Sequence, residues 1–187
     1  MKDMNVNIEI EFKSLINKEK YDTLLKTFNL ENNIFKHTNY YFDTKNQDLN
    51  KQKIVLRIRH REKGSYKLTL KSQSDYESYE YHVFLEEETA LKIIKDGFNT
   101  KEYFEQINYD VLFVASLDNY RSKTPYEEGT LFIDYSEYCG NTDYEIEYEV
   151  NHYEKGLNAW ELLIKKYDIK VLPLKRKSER ALTCIID

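Results

Sequence analysis

Strand after strand in this chain gathers charge of one sign on one face, and an ordinary half-buried sheet has no need of that. Ile8-Glu9-Ile10-Glu11-Phe12-Lys13 alternates strictly, with Glu9, Glu11 and Lys13 on one face and Ile8, Ile10 and Phe12 on the other. Asp143 to Val150 puts Glu145, Glu147 and Glu149 opposite Tyr144, Ile146, Tyr148 and Val150. Ile54 to Arg61 groups Arg57, Arg59 and Arg61, and Tyr66 to Lys71 groups Lys67 and Lys71. Glu80 shares a face with His82, Arg121 with Lys123, and Asp134 with Ser136. A solvated face usually mixes signs. Here the acids concentrate on the first and late strands and the bases on the middle ones. Adjacent acids repel and need a cation, and adjacent bases need an anion. Both needs are met if the charged faces point inward around a metal–phosphate ligand. The expectation is a closed antiparallel β-barrel whose interior is a charged tunnel, with amphipathic helices covering its apolar outside.

The remaining elements suit a mainly β, α+β chain. Helical spacing marks Asn17 to Phe28, and Glu154 to Tyr167 with Trp160 on its apolar side. Shorter helices are expected at Thr89 to Lys95, stopped by Gly97, at Thr100 to Ile107 with Thr100 as N-cap, and at Ser178 to Ile186 beyond the Pro173 breaker. His37 to Phe42, Tyr76 to Leu85, Val111 to Lys123 and Thr130 to Tyr138 read as further strands. Gly64-Ser65 and Gly140-Asn141 are turn signals, and such short connections argue against βαβ units. No repeat or linker divides the 187 residues, so one domain over 1–187 is expected.

Composition narrows the class. Lys plus Arg is 28 against 33 Asp plus Glu, so the formal charge is −5, without the basic excess of a general nucleic-acid binder. The 17 Tyr and 9 Phe argue for a folded globule. The longest apolar runs are about five residues, far below the roughly 20 of a membrane span, and Met1 to Asn5 is too polar for a signal peptide. A cytoplasmic protein with no nucleic-acid or membrane partner is expected. Cys139 and Cys184 are too few for a disulfide scaffold and lack metal-site spacing. Lys175 and Arg176 read as surface charges.

The charged rows carry chemistry. A Glu-x-Glu pair on a strand sets two carboxylates about 7 Å apart along one face. Glu9/Glu11 and Glu145/Glu147, with Asp134 on the neighbouring hairpin strand, are oxygen donors of the kind Mg²⁺ or Mn²⁺ prefers. Arg57, Arg59, Lys71 and Arg121 suit a chain of phosphates, and a triphosphate has charge enough for so many bases. Lys67 has the same facing as Lys71, so the strand offers two phosphate lysines. With 5 glycines and no GxxxxGK[ST], side chains must hold the phosphates. Metal-assisted phosphoryl transfer follows, with one or two ions. Lys13, beside the acidic pair, is placed to orient or deprotonate an attacking water.

These residues resemble the CYTH superfamily, the triphosphate tunnel metalloenzymes. Glu9-Ile10-Glu11-Phe12-Lys13 resembles its ExExK signature, Leu56-Arg57-Ile58-Arg59 its LRxR strand, and Leu68-Thr69-Leu70-Lys71 the strand ending in a phosphate lysine. Glu80, Asn119-Tyr120-Arg121, Leu131-Phe132-Ile133-Asp134, Glu145-Ile146-Glu147 and Lys177-Ser178-Glu179-Arg180 follow in family order. The nearest likeness is to the small bacterial single-domain branch, often labelled adenylate cyclases or triphosphatases. The resemblance implies an eight-stranded closed barrel, divalent metal and a small-molecule triphosphate. It assigns Glu9, Glu11, Asp134, Glu145 and Glu147 to the metal, and Lys13, Arg57, Arg59, Lys71, Arg121, Lys177 and Arg180 to phosphate. Glu80 and His82 are accessory candidates.

Hydrolysis of inorganic, thiamine or nucleoside triphosphate is the leading expectation. The alternatives are a class IV-type adenylate cyclase and a non-catalytic polyphosphate or nucleotide binding module. The chain is expected as a monomer or homodimer.

Overall fold

The protein is described by a computed structural model over residues 5–62, 64–73, 77–172 and 174–183. Its strands are β1 (Asn5–Ile16), β2 (Phe35–Asp43), β3 (Ile54–Arg61), β4 (Tyr66–Gln73), β5 (Glu77–Leu85), β6 (Phe98–Asn99), β7 (Asp110–Tyr126), β8 (Gly129–Tyr138) and β9 (Asn141–Val150). Its helices are α1 (Lys18–Thr27), α2 (Asp48–Lys51), α3 (Glu87–Asp96), α4 (Tyr153–Lys166) and α5 (Lys177–Leu182). The strands form one sheet in the order β2-β3-β4-β5-β1-β9-β8-β7-β6, with an additional β2–β7 pairing.

The closed eight-stranded barrel expected above is corrected on two counts. Nine strands form, and the curled sheet stays open, with edges 7 Å apart. Alternation tells which residues share a face, but it neither counts strands nor says whether the two edges of a sheet meet. The extra strand, β6, is two residues long and pairs Phe98 with Val111 and Asn99 with Asp110. Two residues are too few to show a period.

The chain divides into two compact units. The first is built on His37–Leu117 with the segment from Arg176 onward. In it, β2 to β5 pair in antiparallel register, so that Tyr41, Arg57, Thr69 and His82 stand side by side on one face. The opposite face supplies Phe42, Leu56, Ile58, Leu68, Leu70 and Val83, which pack with Ala90 and Ile93 of α3, Phe104 and Val111. Helix α3 stops at Gly97, whose φ of 75° and closeness to β7 exclude a side chain: a Cβ there would lie 2.3 Å from the Val111 carbonyl oxygen.

The helix expected at Thr100 to Ile107 shrinks to a 3₁₀ turn, Thr100–Glu102. Asn99, not Thr100, caps it, accepting from the Lys101 amide, while Glu102 accepts from the Asn99 amide. The Thr100 hydroxyl instead accepts the Tyr109 N–H, which turns the chain into β7.

The second unit comprises Glu9–Lys36 and Asp118–Lys175. Leu131, Ile133, Ile146, Tyr148 and Val150 bury their sheet face against Tyr21, Leu24 and Leu25 of α1 and Trp160 and Leu163 of α4. Asn17 starts α1 by accepting the Lys20 N–H at 2.8 Å. Phe12 of β1 stacks on Trp160 at 6.2 Å between centroids. The β8–β9 hairpin turns on Cys139-Gly140 with φ of 47° and 75°, one residue earlier than the expected Gly140-Asn141. Two positive φ values in succession match the twist of the flanking strands. Among the described residues no helix is long and apolar enough to cross a membrane. The expected end of α5, Cys184 to Ile186, the expected start of β5 at Tyr76, and Pro173 lie outside the described residues.

Candidate functional site

In the first unit the charged face of β2 to β5 gathers cations around Glu80. This residue is 3% exposed, and its carboxylate lies 3.7 Å from the Arg57 guanidinium and 3.5 Å from the Lys71 ammonium. Burial alone would raise the Glu80 carboxyl. Arg57, Lys71, Lys67 and Arg59 outweigh burial and hold it below the ordinary carboxylate value. One row over, the Tyr41 phenol is raised by burial, while Arg57, Lys177, Arg59 and Arg180 pull it back. Six expected phosphate residues, Arg57, Arg59, Lys67, Lys71, Lys177 and Arg180, therefore fall within one electrostatic neighbourhood.

Helix α5 brings Lys177 and Arg180 there, and Arg176 anchors it. Its guanidinium donates to the Asn50 side chain at 2.8 Å and to Glu179 at 2.8 Å, and its amide donates to Glu179. Asn50 is fixed in turn, because Asp43 accepts the amides of Thr44, Leu49 and Asn50. The Arg176 side chain is 14% exposed, so the surface-charge expectation is corrected: it holds two elements together.

Three further polar atoms line this row without a hydrogen-bond partner among the described residues: the Tyr41 hydroxyl, Arg57 Nε and the Thr69 hydroxyl. The three residues are register neighbours across β2, β3 and β4. A buried donor left unmade costs about 1–3 kcal/mol. Three side by side are donors that one anion with several oxygens would satisfy. Sequence reasoning passed over Tyr41, Thr69 and Asn39, which accepts from Arg59 Nε at 3.1 Å. The signal is in the register alone: each stands opposite an arginine once β2, β3 and β4 are paired.

The second unit carries the acids. Asp134 is fully buried and Glu147 is 6% exposed. Both meet Arg121, whose Nε lies 2.8 Å from Asp134 Oδ1 and whose second nitrogen reaches Asp134 Oδ2 at 2.6 Å and Glu147 Oε2. Burial would lower the guanidinium pKa; Asp134 and Glu147 raise it well above the usual value. Arg121 also sits over the Phe132 ring at 4.3 Å. Arg121, expected among the phosphate cations, is thus placed with the carboxylates. Glu145 is 2% exposed and pairs with Asp134 in register.

Glu9 and Glu11 of β1 lie toward Glu149, which the sequence places on the acidic face but which was not among the expected metal residues. Burial, Glu9 and Glu147 push it up to about 7, Arg121 opposes, and Glu11 adds to the rise. Lys13 donates to Glu11 at 2.7 Å and pairs with Glu147 in register. Among the described residues, no three His, Cys, Asp or Glu side chains are gathered as a metal-binding group. The donor chemistry nonetheless fits a hard cation. All donors are carboxylate oxygens, and the raised Glu149 marks like charge that one arginine does not neutralise.

The CYTH domain pattern matches residues 7–182. The chain belongs to the CYTH family. This CYTH protein is 33% identical over 183 residues to "Putative triphosphatase YjbK" of Bacillus subtilis (strain 168), covering 93% of its own length and 94% of that relative. A solved structure, the "putative adenylate cyclase (bh2851)" of Bacillus halodurans, superposes with a TM-score of 0.87 at 28% identity, covering 95% of this chain and 98% of that one. The fold is also that of the Hippeastrum protein HpAC1, with a TM-score of 0.74 at 20% identity over 94% of each chain.

Proposed function

We propose that this CYTH protein hydrolyses a triphosphate with the help of a divalent metal. Inorganic triphosphate is the simplest substrate, and thiamine or nucleoside triphosphate are the organic ones. The observation that carries this reading is the cation cluster of the first unit, with its three unmade donors. Arg57, Arg59, Lys67, Lys71, Lys177 and Arg180 neutralise the phosphate oxygens, while Tyr41 and Thr69 donate to them and fix their orientation. Glu80 holds Arg57 and Lys71 in place. The 33% identical relative named as a triphosphatase supports hydrolysis as the reaction class.

Glu9, Glu11, Glu147 and Glu149 would hold Mg²⁺ or Mn²⁺, with Asp134 and Glu145 on the same charged face. Such an ion supplies charge neutralisation and an acidified water. Lys13, held by its ion pair with Glu11, would orient the attacking water through its ammonium. Arg121 stabilises Asp134 and Glu147.

The name of the 28% identical structure keeps adenylate cyclase as the second reading. One assay separates the two. The protein is incubated with inorganic triphosphate and with ATP in Mg²⁺ or Mn²⁺, and orthophosphate, pyrophosphate and cyclic AMP are measured. Orthophosphate plus pyrophosphate from inorganic triphosphate supports hydrolysis. Cyclic AMP plus pyrophosphate from ATP supports the cyclase. No turnover of either compound refutes the cyclase and hydrolysis of these two substrates.

A further inference from the structure

We propose that Arg121 stands in for the divalent ion: its guanidinium and the metal compete for Asp134 and Glu147, so that entry of the ion releases Arg121 to take an anionic oxygen of the substrate. This rests on the metal reading of the second unit's carboxylates and adds an order to it, the ion first and the Arg121–anion contact second.

The guanidinium sits where a hard cation would. A single nitrogen, Nη2, bridges Asp134 Oδ2 at 2.6 Å and Glu147 Oε2, while Nε holds Asp134 Oδ1 at 2.8 Å. Both Asp134 oxygens are thus taken by Arg121. An ion bound to the two carboxylates would use the same oxygens, and two cations crowded onto them repel. The acids are correspondingly not gathered into a metal-binding group among the described residues. Arg121, Asp134 and Glu147 all lie in the second unit, on the charged face of β7, β8 and β9.

A buried ion pair can be purely structural. The balance of charge tells against that here. Glu145 stands opposite Asp134 in register, and Glu149 follows Glu147 on the same face, so that Asp134, Glu145, Glu147 and Glu149 share one face with one guanidinium. Lys123, the other cation on that face of β7, is exposed, and Lys13 is bonded to Glu11. The Glu149 carboxyl, pushed up to about 7 by burial, Glu9 and Glu147, registers the excess of acid. A divalent ion brings twice the charge of the arginine it displaces. Arg121 also keeps a support that needs no carboxylate, because it lies over the Phe132 ring at 4.3 Å. Released from Asp134, its fork matches two oxygens of a phosphate. Arg121 therefore belongs with the carboxylates before the ion binds and with the anion afterwards.

The test is calorimetric titration of Mn²⁺ into the wild type, Arg121→Met and Arg121→Lys, each shown to be folded by circular dichroism. Competition is reciprocal, so loss of the guanidinium should tighten Mn²⁺ about tenfold or more. Arg121→Lys, which keeps the charge but not the fork, should fall between the other two. Mn²⁺ at one fixed concentration should also raise the melting temperature of Arg121→Met by more than that of the wild type. A further reading needs no variant to fold: in the wild type, the Arg121 Nε–H NMR signal should shift and exchange faster with solvent as Mg²⁺ is added. Mn²⁺ affinity in folded Arg121→Met that equals or falls below that of the wild type makes Arg121 a structural partner only; it overturns the competition and leaves the metal reading standing. An Arg121 signal unmoved by saturating Mg²⁺ does the same. No Mn²⁺ binding by the wild type or either variant overturns this inference and the metal reading together.

Discussion

Glu149→Gln should remove a pH dependence from the stability of the protein. The Glu149 carboxyl sits near 7 in the fold because of burial and of Glu9 and Glu147, against an ordinary value of 4.5. Ionising it in the folded state therefore costs about 3 kcal/mol more than in the unfolded chain, at about 1.4 kcal/mol per pH unit. The folded pKa is raised, so the stabilisation is complete below about pH 4.5 and disappears as the pH climbs through 7. The window is distinct from that of Glu80, whose lowered carboxyl acts only as the pH falls below the ordinary carboxylate value. Urea unfolding in chelator from pH 5 to pH 8.5 measures the effect. The wild type should lose up to about 3 kcal/mol across that range, and Glu149→Gln should stay nearly flat, ending the more stable of the two at pH 8.5. Superimposable profiles for the two proteins would refute the crowding of carboxylates around Glu149.

Other perturbations separate the parts of the structure. Arg121→Met leaves Asp134 and Glu147 without their buried counter-charge and should cost about 3–5 kcal/mol in urea unfolding at neutral pH. Gly97→Ala forces a side chain to a φ of 75° against the Val111 carbonyl and should cost about 1–3 kcal/mol by the same measurement. Mn²⁺ should raise the melting temperature of the wild type, and Glu9→Gln/Glu147→Gln should abolish that rise; an undiminished rise would place the ion elsewhere.

How much of this was legible in the sequence differed by feature. Strict alternation gave the facing of β1, β3, β4 and β9, because one buried face fixes which residues share a side. That facing grouped four phosphate candidates, Arg57, Arg59, Lys67 and Lys71, while Lys177 and Arg180 rested on family likeness and not on periodicity. Long-range register was invisible. Nothing local announces that Tyr41 stands beside Arg57 and Arg57 beside Thr69, so the donors that complete the cluster were missed. Arg121 was grouped with the phosphate bases on its charge and its likeness to the family's later arginine strand. Only pairing with β8 shows that it faces Asp134. Short elements escaped for a different reason: β6 and α2 are held by Val111, Asp110 and the Asp43 carboxylate, partners that are distant or lie outside the element itself. The open sheet was likewise unreadable, since edge-to-edge distance leaves no trace in an alternating pattern.

The central claim is that the first unit's cations form a polyphosphate site. Titration of inorganic triphosphate and of orthophosphate into the wild type and Arg57→Met, in chelator and at fixed ionic strength, tests it most directly. The wild type should bind triphosphate at one site and far more tightly than orthophosphate, and Arg57→Met should weaken it by at least tenfold, the equivalent of roughly 1.5–3 kcal/mol for a charged hydrogen bond. Equal affinity for the two anions, or triphosphate binding untouched by the substitution, would contradict the assignment.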